Sequence, residues 1–263
     1  MHNYDSLFND LKNIGIKDTD WVMVHSSLKS VGEIEGRADT LINAMIEATK
    51  NGLLVFPTHT WATIREDEQV FDVNNSDSCV GALTNIVRKD SRFIRSNHPT
   101  HSVCACGKEA NSYIHLDDTA TTPTPVNGCF GILKDKNAKI LFLGAPLTKN
   151  TFVHSVEEYM NVPNRFTEHV YKFYSKNNDE IKEYNMVRHF NAKCPHISDN
   201  YEKLLPIMLE HKIAKMAKIG DSLSYLVDAK GCFELVCHIL NKDIDALSDM
   251  RDINNYCNDF RKS

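Results

Sequence analysis

Several things are scarce or missing in this chain, and each absence removes a class of function. There is no excess of basic charge: 30 Lys and Arg stand against 35 Asp and Glu, a net charge of −5. No cationic field is therefore present to hold nucleic acid. No apolar run approaches the roughly 20 residues that a membrane-spanning helix needs. The opening Met1-His-Asn-Tyr-Asp5 lacks an apolar signal core, so a cytoplasmic protein with no membrane partner is expected. The eight cysteines include no Cys-x-x-Cys pair. Cys104-Ala-Cys106 is the one close pair, and nothing completes a zinc site around it. Reduced and mostly buried thiols are expected. Repeats, low-complexity tracts and Pro/Gly/Ser linkers are absent too, which favours one domain over residues 1–263.

What is present is an alternation of apolar strands and amphipathic helices. Asp20 to His25 reads as a strand, and Leu53 to Pro57 as another. Between them Ala38 to Lys50 has Leu41, Ile42, Met45 and Ile46 at helical spacing. Strand, helix, strand is a βαβ unit, hence a parallel pair. A helix over Tyr4 to Asn13 precedes it, and Thr58 to Ser78 reads as loop. Val80 to Lys89 and Tyr113 to Thr122 read as helices, with strands at Phe93 to Arg95, Val103 to Cys106 and Lys139 to Leu143. His169 to Tyr174 and Ile181 to Val187, around Asn177-Asn178, read as a β-hairpin. Asn200 to Lys215 reads as a helix and Lys215 to Ile219 as an edge strand. Asp221 then reads as the cap of a helix running through Leu240, although Gly231 interrupts it.

Four polar segments fall in the connections: His25-Ser-Ser27, Thr58-His-Thr-Trp61, His98 to Ser102, and Thr151 to Glu157. Ligands of open α/β sheets bind outside the carboxyl ends of the strands, where such connections converge. A helix starting near Thr151 places His154 and Glu157 three residues apart, on one face and within reach of each other. An imidazole whose tautomer is fixed by a carboxylate is what a general base needs; the ordinary alternative is a solvated surface pair. His25-Ser-Ser27 offers hydroxyls and N–H groups to a phosphate, but the glycine spacing fits neither a Walker loop nor a dinucleotide fingerprint. His98-x-x-His101 with His59 and His154 has none of the recognised zinc spacings, so no metal is expected.

Together, His25-Ser-Ser-Leu28, Phe56-Pro-Thr-His-Thr-Trp61, His98-Pro-Thr-His-Ser-Val103 and Thr151-x-x-His154-x-x-Glu157 with Val162-Pro-Asn-Arg165 resemble the aminoglycoside 3-N-acetyltransferase family. The resemblance runs in order from about residue 15 to 240. It implies an α/β fold, a three-layer α/β/α sandwich around a mixed, partly parallel sheet with an added β-hairpin. It also implies acetyl-CoA as donor and a small primary amine as acceptor, foremost the 3-amino group of an aminoglycoside antibiotic. By position His154 becomes the general base and Glu157 its orienting carboxylate. His25, Ser26, Ser27, Leu28, Ser102, Phe130 and Gly131 would line the CoA channel. Where the family usually has Gly-Gly-Ala, this chain has Gly36-Arg37-Ala38, and Arg37 is a candidate for a CoA phosphate. Thr58, Thr60, Trp61, His98 and His101 are candidates for the acceptor side. A polycationic acceptor needs carboxylates, and Glu66, Asp67, Glu68, Asp72, Asp117 and Asp118 are the candidate wall. Rival readings are an acetyl-enzyme on Cys104 or Cys106, a CoA- or amine-binding protein without turnover, and a smaller amine or amino sugar as acceptor. Homodimer formation stays an open expectation.

Overall fold

The computed structural model describes residues 1–190 and 195–260, so Cys194 lies outside the described residues. Within them the strands are β1 (Trp21–Ser26), β2 (Leu53–Pro57), β3 (Val70–Asp72), β4 (Ile94–Arg95), β5 (Val103–Gly107), β6 (Lys139–Leu143), β7 (Tyr171–Asn177), β8 (Glu180–Met186), β9 (Ala214–Ile219) and β10 (Ser222–Asp228). The α-helices are α1 (Tyr4–Ile14), α2 (Arg37–Ala48), α3 (Ala82–Val87), α4 (Ala110–Ile114), α5 (Thr151–Tyr159), α6 (Leu204–Glu210), α7 (Ala229–Lys242) and α8 (Asn254–Cys257).

Seven strands form one sheet in the order β4-β5-β2-β1-β6-β10-β9. Only its centre is parallel: β2, β1 and β6 run together, joined by the expected β1–α2–β2 crossover. Antiparallel strands extend it on both sides, β10 and β9 beyond β6, β5 and β4 beyond β2. The central strands are apolar at almost every position because both faces are covered. Trp21 and Met23 of β1 point into one core, and Val22 and Val24 into the other. The same alternation splits Leu53 and Val55 from Leu54 and Phe56, and Ile140 and Phe142 from Leu141 and Leu143. α4 to α8 cover the first face and α1 to α3 the second, which gives the expected α/β/α sandwich around a mixed sheet.

The expected hairpin is β7–β8, turned at Asn178 in the left-handed region (φ 54°). It is part of a second, three-stranded sheet, because β3 pairs in parallel with β7. β3 comes from the stretch read as loop. Its Phe71 packs with Phe173, Tyr184 and Met186 in a separate small core.

Three helix expectations change. The helix expected over Tyr113 to Thr122 lies earlier, as α4, and continues only as a 3₁₀ turn, His115–Asp117. Ser222 to Asp228 is a strand, with Leu226 in one core and Val227 in the other. The cap of the following helix is Asp228, which accepts the Gly231 N–H at 2.7 Å. Asp221 sits instead in the turn between β9 and β10. The helix expected over 200–215 is a 3₁₀ segment, Ile197–Lys203, followed by a short α6. Pro206 explains the break: having no N–H to donate, proline is tolerated only in the first turn of a helix.

Candidate active site

β6 ends at Gly144, in the left-handed region at φ 59°. A Cβ there would stand 1.8 Å from the Ser30 hydroxyl and 2.5 Å from that of Ser222, so glycine alone fits the turn. The chain passes through a 3₁₀ turn, Leu147–Lys149, into α5. Phe152, Val153 and Val156 bury one side of this helix in the core, which fixes the side carrying His154 and Glu157.

His154 and Glu157 meet as expected. His154 Nδ1 lies 3.1 Å from Glu157 Oε2. The Tyr201 hydroxyl lies 2.9 Å from the same nitrogen and donates to Glu157 Oε2 at 2.7 Å. Arg165 Nε donates to Glu157 Oε1 at 2.9 Å. Glu157 is 1% exposed, so this carboxylate is buried beneath the histidine. Burial acts to raise its pKa, but the His154 hydrogen bond and charge, the Arg165 guanidinium and Tyr201 outweigh it and hold the carboxyl below its usual range. With Nδ1 donating to the carboxylate, Nε2 is left as the basic nitrogen of a ring that lines the cavity.

A second pair lies alongside. His189 Nε2 is 2.9 Å from Glu158 Oε1, and the His189 and His154 rings are 4.4 Å apart. Glu158 also accepts from the hydroxyls of Thr122 and Thr124, each at 2.6 Å, and from the Thr124 N–H at 2.9 Å. Burial lowers the His189 pKa, the charge of His154 adds to this, and Glu158 offsets only part of it.

These groups open on a cavity of about 1120 Å³. Of the donor-side candidates, His25, Ser26 and Ser27 line it. Leu28, Arg37, Ser102, Phe130 and Gly131 do not. Phe130 and Gly131 are buried in the core; Arg37 is exposed at the start of α2, in the left-handed conformation (φ 61°) that glycine adopts more readily. Of the acceptor-side candidates, Trp61 and His101 line the cavity, and so does His59. Thr58 and Ser102 lie beneath it, held by the buried Arg95. That guanidinium donates to the Thr58 carbonyl at 2.7 Å and to both hydroxyls at 3.2 Å. Thr60 bonds the Pro99 carbonyl. His98 is a staple in the loop: its Nδ1 accepts the N–H groups of Thr100 (3.2 Å) and His101 (2.9 Å), and Nε2 donates to the Thr122 carbonyl (3.1 Å).

The loop from His98 to Ser102 reaches the site by a different route from the one expected. β5 runs antiparallel to β2, and Val103 pairs with Pro57, so the loop arrives at the amino end of its strand. The expected carboxylate wall is not there. Glu66, Asp67, Glu68, Asp72, Asp117 and Asp118 are all outside the cavity lining. Asp67 faces Arg65 at 3.5 Å, Asp72 holds the turn at Asn74 and Asn75, and Asp117 is buried against the Cys129 N–H at 2.9 Å. Cys104 and Cys106 are also away from the cavity, and burial pushes the Cys104 thiol up to about 11. Burial likewise depresses His25, to about 3, and takes His59 and His101 well below their usual range. The wall therefore carries neutral imidazoles; Nε2 of His25 and of His59 has no hydrogen-bond partner among the described residues.

Sequence reasoning missed Tyr201 and His189. Tyr201 lies in a segment read as an ordinary helix, and His189 follows the hairpin. The only signal for His189 was the doubled acid Glu157-Glu158, one carboxylate for each histidine.

An α/β/α sandwich with an imidazole seated on a buried carboxylate, at the wall of a cavity of about 1120 Å³, has the make-up of an enzyme. The chain belongs to the aminoglycoside 3-N-acetyltransferase family, whose model matches residues 23–241. By family it is thus an N-acetyltransferase. It is 29% identical over 187 residues to the SPbeta prophage-derived aminoglycoside N(3')-acetyltransferase-like protein YokD of Bacillus subtilis (strain 168), a match spanning 61% of this chain and 67% of that protein. It is 28% identical over 185 residues to the aminoglycoside N(3)-acetyltransferase III of Serratia marcescens, spanning 63% and 67%. Among solved structures it is similar to the aminoglycoside acetyltransferase AAC(3)-Xa, with a TM-score of 0.79, 22% identity, and 92% and 94% of the two chains covered. AAC-IIIb, solved as a binary complex with CoASH, gives 0.77 at 22% identity, covering 92% and 97%. At these identities the likeness is one of fold.

Proposed function

We propose that this chain transfers the acetyl group of acetyl-CoA directly to a primary amine, with His154 as general base. The observation that carries this is the His154 ring, tied through Nδ1 to a buried carboxylate and lining a cavity of about 1120 Å³. The amine nitrogen attacks the thioester carbonyl and passes a proton to His154 Nε2. The C–S bond then breaks and the leaving sulfur takes that proton, giving the amide and CoA. Glu157 steadies the imidazolium between these steps, and Arg165 and Tyr201 keep Glu157 ionised and in place. Base catalysis of this kind contributes about 10²–10⁴-fold in rate. Ser26 and Ser27 stand on the donor side. The cytoplasm, where acetyl-CoA is found, is the expected place of action.

The family points to the 3-amino group of an aminoglycoside as acceptor. A second reading, a smaller amine or amino sugar, is favoured by a specific observation: the six acidic residues expected to hold a polycation are outside the cavity. The test is CoA release from acetyl-CoA by the purified chain over a panel of amines, in the wild type and in His154→Ala. Amine-dependent release that disappears in the variant is expected. Release that persists undiminished in His154→Ala would remove the base assigned here.

A further inference from the structure

The formal charges on the cavity wall are unbalanced in the direction opposite to that a polycation requires. Among the described residues Arg65, Lys149, Arg165 and Arg188 line it, against the single carboxylate of Asp199. Arg165 is neutralised by Glu157 and Arg65 faces Asp67 at 3.5 Å, but Arg188 has no such partner among the described residues. Arg188 follows β8 and is half-buried. One of its NH₂ groups donates to the Trp61 carbonyl at 2.7 Å, and its guanidinium lies 5.9 Å from the centre of the Tyr171 ring. Among the described residues no carboxylate stands within ion-pair distance of it. Burial lowers the Arg188 pKa and the nearby positive charge of Arg65 lowers it further, while Tyr171 opposes the change. A planar donor fork with N–H groups unspent among the described residues, already partly stripped of water, is built to receive a phosphate or a carboxylate. A polycation placed there would meet like charge instead.

We infer that the acceptor is a primary amine that also carries an anionic group, a phosphate or a carboxylate, which binds at Arg188 with Arg65 at the rim. The inference rests on the acetyl-transfer reading and deepens it. The phosphates of CoA are the competing anions, and position argues against them. Arg188 is next in the chain to His189, whose ring is 4.4 Å from that of His154, and its guanidinium bonds the carbonyl of Trp61, an acceptor-side candidate. The pantetheine arm holds the phosphates of CoA away from its thioester. Trp61 and Tyr171, both on the cavity wall, supply flat apolar surfaces beside the fork, as the ring of an amino sugar requires.

The test measures kcat/KM at saturating acetyl-CoA for glucosamine 6-phosphate, muramic acid, their uncharged-ring parent glucosamine, and kanamycin. The first two separate phosphate from carboxylate; the last is the polycation. At least one anionic amine is expected to exceed glucosamine by about tenfold or more, since a charge-assisted hydrogen bond is worth about 1.5–3 kcal/mol. In Arg188→Gln the ratio of that amine to glucosamine should fall by a similar factor, and Arg188→Lys should restore part of it. Inorganic phosphate should compete with the acceptor in the wild-type protein, a measurement that does not depend on the variants folding. Kanamycin or glucosamine exceeding both anionic amines would overturn the inference and leave the acetyl-transfer reading intact. An unchanged ratio in Arg188→Gln with a raised acetyl-CoA KM would overturn it too, by giving the arginine to the donor. No transfer to any of the four overturns both.

Discussion

Glu157 and Glu158 are neighbours on one helix and each grips a histidine, yet the two pairs are built from different materials. Glu157 lies under its histidine, locked by a guanidinium and a phenol and 1% exposed. Glu158 is held by two threonine hydroxyls and a backbone N–H, which position it but bring no positive charge. In the proposed reaction the first carboxylate must stay ionised when the ring beside it takes a proton, and Arg165 provides for that. The second belongs to a pair whose histidine is kept neutral by burial and by the neighbouring His154. Proximity to a carboxylate therefore does not make a histidine a base; the difference lies in what supports the carboxylate.

The largest effect expected from this contrast is on turnover. His154→Ala should lower kcat by about 10²–10⁴-fold, measured as CoA release with both substrates saturating, and leave acetyl-CoA affinity close to wild type. Next come the two carboxylates. Glu157→Gln leaves the Arg165 guanidinium buried without its counter-charge, a change that costs about 3–5 kcal/mol of stability when a buried pair is broken. It should lower both Tm and kcat. Glu158→Gln loses charge-assisted bonds worth about 1.5–3 kcal/mol at most and should lower Tm less and kcat little. Equal effects of the two substitutions would erase the distinction between the pairs.

A smaller effect separates the histidines by pH. His25, His59, His101 and His189 all bind protons less readily in the folded protein than in the unfolded chain, burial being the first cause in each. In the unfolded chain they protonate near pH 6.5. Above that pH neither state carries the protons and stability is unaffected. Below it the unfolded state binds more protons, and stability falls. The melting temperature should therefore drop steadily from about pH 6.5 downward. In His189→Phe the slope of that drop should be shallower. A melting temperature flat to pH 5 would contradict the burial of neutral imidazoles. The smallest effect expected is that of Tyr201→Phe. It removes one hydroxyl from a carboxylate that keeps Arg165 and His154, a loss of about 1 kcal/mol, seen as a kcat reduced by several-fold and a barely altered acetyl-CoA KM.

Much of the sandwich was legible because its central strands and helices carry strong, local periodicities. β1, α2, β2 and β6 fall where the apolar spacing places them. β10 was misread because Leu226 and Val227 run on into the helical spacing of Phe233, Val236 and Leu240, and only the sheet, covered on both faces, separates strand from helix. β3 has three residues and exists only through its pairing with β7 and the burial of Phe71. In the site, His154 and Glu157 were readable since they are neighbours on one helix turn. Tyr201, 44 residues beyond Glu157, was not, because nothing local marks a phenol that reaches across the fold. The acidic wall failed for the opposite reason: Glu66, Asp67 and Glu68 are close in sequence to Trp61, but their loop turns them to solvent and to Arg65.

The central claim is that one histidine of the adjacent pair is the base and the other is not. It is tested most directly by measuring kcat for His154→Ala and His189→Ala in the same assay, at saturating acetyl-CoA and amine. The His154 variant is expected to lose about 10²–10⁴-fold in kcat and the His189 variant about tenfold less than that or smaller still. An equal loss in the two, or a larger one in His189→Ala, would contradict the assignment.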